Sequence, residues 1–65
     1  MPRFPDIEVQ LTGNDGNAFA IIGRVVNALR RGGATDGECK AFMAEVTSGD
    51  YDHVLATAMA WVEVR

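Results

Sequence analysis

Between Val9 and Leu29 the chain passes straight from the alternation of a strand to the three-and-four spacing of an amphipathic helix, through a single glycine-punctuated turn. Ile7, Val9 and Leu11 alternate with Glu8, Gln10 and Thr12, the period of two that marks a half-buried strand. The turn Thr12-Gly13-Asn14-Asp15-Gly16-Asn17 follows, and Asn14 or Asp15 is expected to cap the coming helix through its side-chain oxygen. From Gly16 onward Phe19, Ile22, Val25, Val26 and Leu29 form an apolar stripe, with Arg24, Asn27, Arg30 and Arg31 on the opposite face. Gly32-Gly33 ends this helix, and Arg30 and Arg31 complement its dipole in the last turn. A strand joined so directly to a helix requires the helix to cover the strand's apolar face.

The rest of the chain supplies the other covering elements. Thr35-Asp36-Gly37-Glu38 has the Thr-x-x-Glu pattern of a capping box. It opens a second helix with Cys39, Phe42, Met43 and Val46 inward, closed by Thr47-Ser48-Gly49. Ser48 or Asp50 caps a third helix, whose inward positions are expected to be Tyr51, Val54, Leu55, Ala58, Met59 and Trp61. The tail from Trp61 to Arg65 returns to alternation, with Val62 and Val64 inward. The expected architecture is a single α+β domain over residues 1–65, ordered strand-helix-helix-helix-strand, with a two-stranded sheet packed on three helices. A two-stranded sheet is marginal alone in water, so the strands must pair against the helical layer and bring the chain ends together. Its open edges suggest a homodimer, in which one edge pairs with a second copy across a two-fold axis.

Size and composition narrow the chemistry. A domain of 65 residues buries only about 60% of its unfolded-chain surface, which commits its large apolar side chains to the core. Cys39 is the sole cysteine, so stabilisation by an internal disulfide or a cysteine-based zinc site is excluded. As the free thiol lies on the apolar stripe of the second helix, it reads as a buried hydrophobe, and a reducing, cytoplasmic setting fits it. No apolar run has the length of a membrane span. The formal net charge is −3, with four arginines against three acids over residues 1–33 and a lysine and an arginine against six acids beyond. That balance opposes binding of nucleic acid through bulk charge.

Candidate functional residues are few. Asp50-Tyr51-Asp52-His53 is the densest polar cluster, and Asp50, Asp52 and His53 are the types that acid–base or metal chemistry employs. Neighbours at a helix start rarely converge, so Asp50 reads as a cap, Asp52 as a first-turn acid and His53 as a solvent-facing side chain. The turn Gly13-Asn14-Asp15-Gly16 has the form of an anion cradle, but it lacks the Gly-Lys-Ser/Thr of a nucleotide-binding loop and contains a repelling aspartate. Gly23 in mid-helix suggests the close approach of a neighbouring element. Tyr51 and Trp61 are anchor-type residues, and in so small a domain Trp61 reads as core. Arg24, Asn27 and Arg31, spaced three and four apart and joined by Arg30, form the candidate partner surface. No cofactor and no catalytic residues are expected.

The segments VQLTGNDGNAFAIIGRVVNALR and SGDYDHVLATAMAWV resemble a family of small uncharacterised proteins found in bacteria and in phages or other mobile elements. The resemblance covers nearly the whole chain and implies a small accessory protein without assigned activity. The expected function is therefore a protein-interaction module, not an enzyme, whose protein partner the sequence does not name. The alternative is a nucleic-acid-associated regulator that uses the arginine edge of the first helix.

Overall fold

In the computed structural model, which describes residues 2–11 and 16–65, the chain forms the expected strand, three helices and strand. They are β1 (Phe4–Val9), α1 (Ala18–Arg31), α2 (Asp36–Val46), α3 (Tyr51–Trp61) and β2 (Val62–Val64). The two strands pair in parallel, so the three helices together are the crossover that parallel pairing requires. None of these helices is long and apolar enough to cross a membrane.

Each helix is framed by local chemistry. The side chain of Asn17 accepts a hydrogen bond of 2.8 Å from the Phe19 amide, which makes Asn17 the cap of α1 in place of the expected Asn14 or Asp15. The other end is a Schellman motif: Gly33 N–H donates to the Arg30 carbonyl, Ala34 N–H donates to Leu29, and Gly33 takes φ 93°. Gly32 serves packing, because a Cβ there would lie 2.5 Å from Cδ1 of Ile7 on β1. The capping box of α2 forms in full, with Thr35 N–H donating to Glu38 Oε1 at 2.8 Å and Glu38 N–H donating to Thr35 Oγ1 at 3.1 Å. Of the two residues proposed to cap α3, Asp50 does so, accepting from His53 N–H at 3.0 Å.

The core is a cluster of residues drawn from every element, including Val9, Ile21, Val25, Leu29, Cys39, Phe42, Val46, Val54, Ala58, Trp61 and Val62. Trp61 sits at its centre. Its ring stacks on Phe4 of β1 at 5.9 Å, meets Phe42 of α2 edge-on at 5.5 Å, and carries the Arg3 guanidinium 4.3 Å above it. The indole N–H donates to the Glu45 carboxylate, so the buried ring leaves no polar atom unpaired.

Four residues expected inward point elsewhere. Phe19 is 84% exposed, Met59 63% and Met43 41%. On α1 the buried arc runs through Ile21, Val25, Ala28 and Leu29, and Phe19 lies roughly 130° around the helix from its centre at about 100° per residue. Met59 departs in the same way from the arc of Val54, Thr57, Ala58 and Trp61. Tyr51, also expected inward, lies at the surface and donates its hydroxyl to the Gly16 carbonyl at 2.5 Å, tying α3 to the entry of α1. Gly23 has no neighbour against it, because a Cβ there would meet nothing within 4 Å. The close intramolecular approach expected at Gly23 is therefore absent from the described residues.

Pairing of the strands is interrupted where proline demands it. Phe4 is opposite Val62, Glu8 opposite Glu63 and Val9 opposite Val64, so Pro5, Asp6 and Ile7 bulge out of the ladder. Pro5 has no amide hydrogen to contribute there. Beyond the bulge the ladder is regular: Arg65 N–H donates to the Val9 carbonyl at 2.9 Å, and Leu11 N–H donates to Arg65 at 2.7 Å.

Three outcomes follow from this packing. In urea titrations followed by circular dichroism, Trp61→Ala should lose about 3–5 kcal/mol, most of the stability of a domain this size. Gly23→Ala should gain about 1 kcal/mol, because the added methyl meets open space and helix propensity improves. Finally, the backbone hydrogen bond from Thr35, aided by the Thr35 side chain and the Arg3 charge, holds the Glu38 carboxyl below the usual glutamate range. A carboxyl lowered on folding stabilises the protein above its unfolded pKa, and that contribution disappears as pH falls through the folded value. Titrations into acid should show this loss, and Glu38→Gln should remove that part of the pH dependence.

Candidate functional site

The basic edge of α1 faces the outer edge of β1. Arg24, Asn27 and Arg31 project from one side of α1, and with Glu8, Val9, Gln10 and Ala28 they line a cleft of about 400 Å³. The ladder explains why β1 presents its backbone here. The amide and carbonyl groups of Val9 and Leu11 that bond Arg65 point toward β2. Strand alternation therefore turns the backbone groups of Glu8 and Gln10 the other way, into the cleft.

The cleft lining carries two arginines, Arg24 and Arg31, and one acid, Glu8. Glu8 is paired with Arg65 at 2.5 Å across the solvent face of the sheet. Such an exposed pair contributes little to stability, and it engages the acid that lines the cleft together with Arg24 and Arg31. The volume lies within the range of small-molecule pockets, yet the lining is polar and contains no aromatic ring, unlike the usual pocket for an apolar ligand.

Arg30 does not join this edge. It lies with Val26, Asp36, Cys39, Lys40 and Met43 along a second cleft of about 340 Å³ between α1 and α2. Adjacent helical residues are about 100° apart around the axis, which separates Arg30 from Arg31 and divides the four-residue surface read from the sequence. Spacing alone foretold this: Arg24, Asn27 and Arg31 share a face, and Arg30 falls outside it.

The polar cluster at the start of α3 is structural. Asp50 is the helix cap and Asp52 is exposed. His53 is half-buried instead of facing solvent, with Nε2 2.7 Å from the Glu45 carbonyl, 3.1 Å from Ser48 Oγ and 3.3 Å from Thr57 Oγ1. A carbonyl only accepts, so Nε2 carries the hydrogen and cannot take a proton from Ser48. Ser48 Oγ itself donates to the Glu45 carbonyl at 2.7 Å. Both side chains thus satisfy the open carbonyl end of α2 and fasten it to α3. Gly49 allows this approach, since a Cβ there would lie 2.7 Å from His53 Cγ. The sequence missed the role because Glu45 and Ser48 become partners of His53 only through the turn between α2 and α3, while Thr57 lies one helical turn further on.

Among the described residues no group of three or more His, Cys, Asp or Glu could hold a metal ion. Cys39 is buried in the core as a free thiol. The anion cradle considered at Gly13, Asn14 and Asp15 lies outside the described residues. No known protein family matches the chain, and neither curated proteins nor solved structures yield a match.

If His53 is a staple, His53→Leu should destabilise the fold by about 1–2 kcal/mol in urea titrations, having removed a donor that satisfies the end of α2. Ser48→Ala should lower stability by less, because His53 continues to bond the same carbonyl.

Proposed function

We propose that this chain is a small protein-interaction module, an accessory protein of the phage or mobile-element type, that engages a protein partner through the cleft between β1 and α1. The observation that carries this reading is the coincidence of an outward-turned strand backbone with Arg24, Asn27 and Arg31 along one cleft. The outer edge of a strand offers a template to another chain, and cations beside it select what approaches. The staple geometry at His53 supports the non-enzymatic side of the reading, because it commits the sole histidine to the fold.

Nucleic acid is the weaker reading. Removal of Arg30 to the second cleft leaves Arg24 and Arg31 as the cations of the edge, on a chain with net charge −3. Electrostatic binding to phosphates grows with the number of cations engaged, and two support little affinity.

The test is a photo-crosslinking amino acid at position 27, in cells of the source organism, with position 52 as control. A specific protein should be captured from position 27 alone, and Arg31→Glu should abolish the capture. Equal capture from both positions, or capture unaffected by Arg31→Glu, contradicts the reading, and a crosslinked nucleic acid replaces it with the alternative.

A further inference from the structure

We infer that α1 pairs in antiparallel with α1 of a second copy of the chain across a two-fold axis, through the exposed face that carries Phe19, Gly23, Val26 and Arg30. This goes beyond the proposed module and does not rest on it, because Arg24, Asn27 and Arg31 lie about 100° away around the helix. At about 100° per residue, Phe19, Gly23, Val26 and Arg30 fall within an arc of about 60°. Phe19 is 84% exposed, and Gly23 and Arg30 are exposed on the same face. Val26 is half-buried and lines the second cleft, where Met43 of α2, itself exposed, continues the apolar surface. A contiguous apolar surface of this kind marks a contact site, where one scattered apolar side chain would not.

Gly23 calls for a neighbour that the described residues do not supply. A glycine in mid-helix weakens the helix relative to alanine, and here the space freed by the missing side chain is taken by nothing within 4 Å. On an exposed face, a position without Cβ lets another backbone come close. Phe19, one turn before it, supplies a large ring to the same contact.

Spacing identifies that neighbour as a second copy. The helix runs from Ala18 to Arg31, so its midpoint falls between residues 24 and 25. Phe19 and Arg30 lie equally far from the midpoint, about 8 Å on either side at 1.5 Å per residue, and Gly23 and Val26 lie about 2 Å on either side. Two α1 helices placed antiparallel over their whole length therefore set Phe19 against the partner's Arg30 and Gly23 against the partner's Val26. The two-fold axis repeats each contact. The Val26 methyl groups fill the space over Gly23, and the Arg30 guanidinium covers a ring otherwise left in water, where the cation is attracted to the face of the ring. One surface thus carries both ring and cation, both knob and hole, at the positions a two-fold pair requires. A parallel pair would oppose Arg30 to Arg30, like charge against like.

The experiment is sedimentation of the full chain. One helical face of about 21 Å gives an interface at the small end of specific contacts, so concentrations from about 1 μM to about 1 mM cover the association. The chain should pass from monomer to dimer within that range. Phe19→Lys removes the ring and opposes a cation to the partner's Arg30, and should weaken the dimer about ten-fold or more. Arg30→Glu alone should weaken it as well. Combining Phe19→Lys with Arg30→Glu should recover about ten-fold or more relative to Phe19→Lys, because the new ion pair forms only between copies: within one helix the two positions are about 16 Å apart. Circular dichroism checks that each variant is folded, as substitutions on an exposed face should be. Amide shifts on dimerisation should centre on residues 19, 23, 26 and 30. A monomer throughout the range, a dimer indifferent to Phe19→Lys, or a folded double variant no tighter than Phe19→Lys overturns the pairing. Shifts centred on residues 8–11 assign the dimer to the sheet edge and overturn it as well. If the position 27 crosslink captures a different, Arg31-dependent protein while the chain stays monomeric, the helix pairing is discarded and the module stands.

Discussion

Trp61 stands at the junction of α3 and β2, and its ring is the contact through which the two ends of the chain are held. Phe4 from β1 stacks on one part of it, Phe42 from α2 meets it edge-on, Arg3 covers it and Glu45 accepts its indole hydrogen. A domain of 65 residues has little apolar surface to commit, so a single aromatic on α3 that touches both β1 and α2 contributes a large share of the burial that opposes chain entropy. Parallel pairing of two short strands would not persist alone in water. It persists here because the residue immediately before β2 is already fixed against the residue that starts β1.

That anchoring decides what the surface offers. With Phe4 set opposite Val62 and the bulge at Pro5 to Ile7 absorbed, the ladder turns Val9 and Leu11 toward β2 and leaves Glu8 and Gln10 facing outward. The same bulge sends Ile7 onto Gly32, where the end of α1 is closed. This brings the last turns of α1, with Arg24, Asn27 and Arg31, beside the outward edge. The cleft is thus a consequence of strand register and helix placement together.

Much of the fold was legible in the residues. Alternation at Ile7, Val9 and Leu11, the capping box at Thr35 and Glu38, the Asp50 cap and the Gly32-Gly33 stop each act through neighbours close in sequence, so local pattern suffices. The errors have separate causes. Phe19 and Met59 are apolar at helical spacing, but the buried arc is set by which face meets other elements, and both lie beyond it. Asn17 displaced Asn14 and Asp15 as cap because a turn this rich in Asn and Asp offers several capping residues and spacing does not choose among them. Strand direction and the β1 bulge depend on contacts across the whole chain, and the partners of His53 depend on how the turn after α2 is folded. Of the candidate surface, the three-and-four spacing of Arg24, Asn27 and Arg31 was readable, whereas the strand edge beside them became visible only with the register.

The central claim is that the chain ends pair in parallel with this register and so turn one edge of β1 outward. Native-state amide hydrogen exchange followed residue by residue tests it most directly. The account expects Val9, Leu11 and Arg65 amides to be protected, Glu8 to exchange far faster than Val9, and Trp61→Ala to abolish the protection at both chain ends together. Protection of Glu8 with rapid exchange of Val9 and Leu11 would contradict it, because β1 would then face β2 with the opposite set of backbone groups.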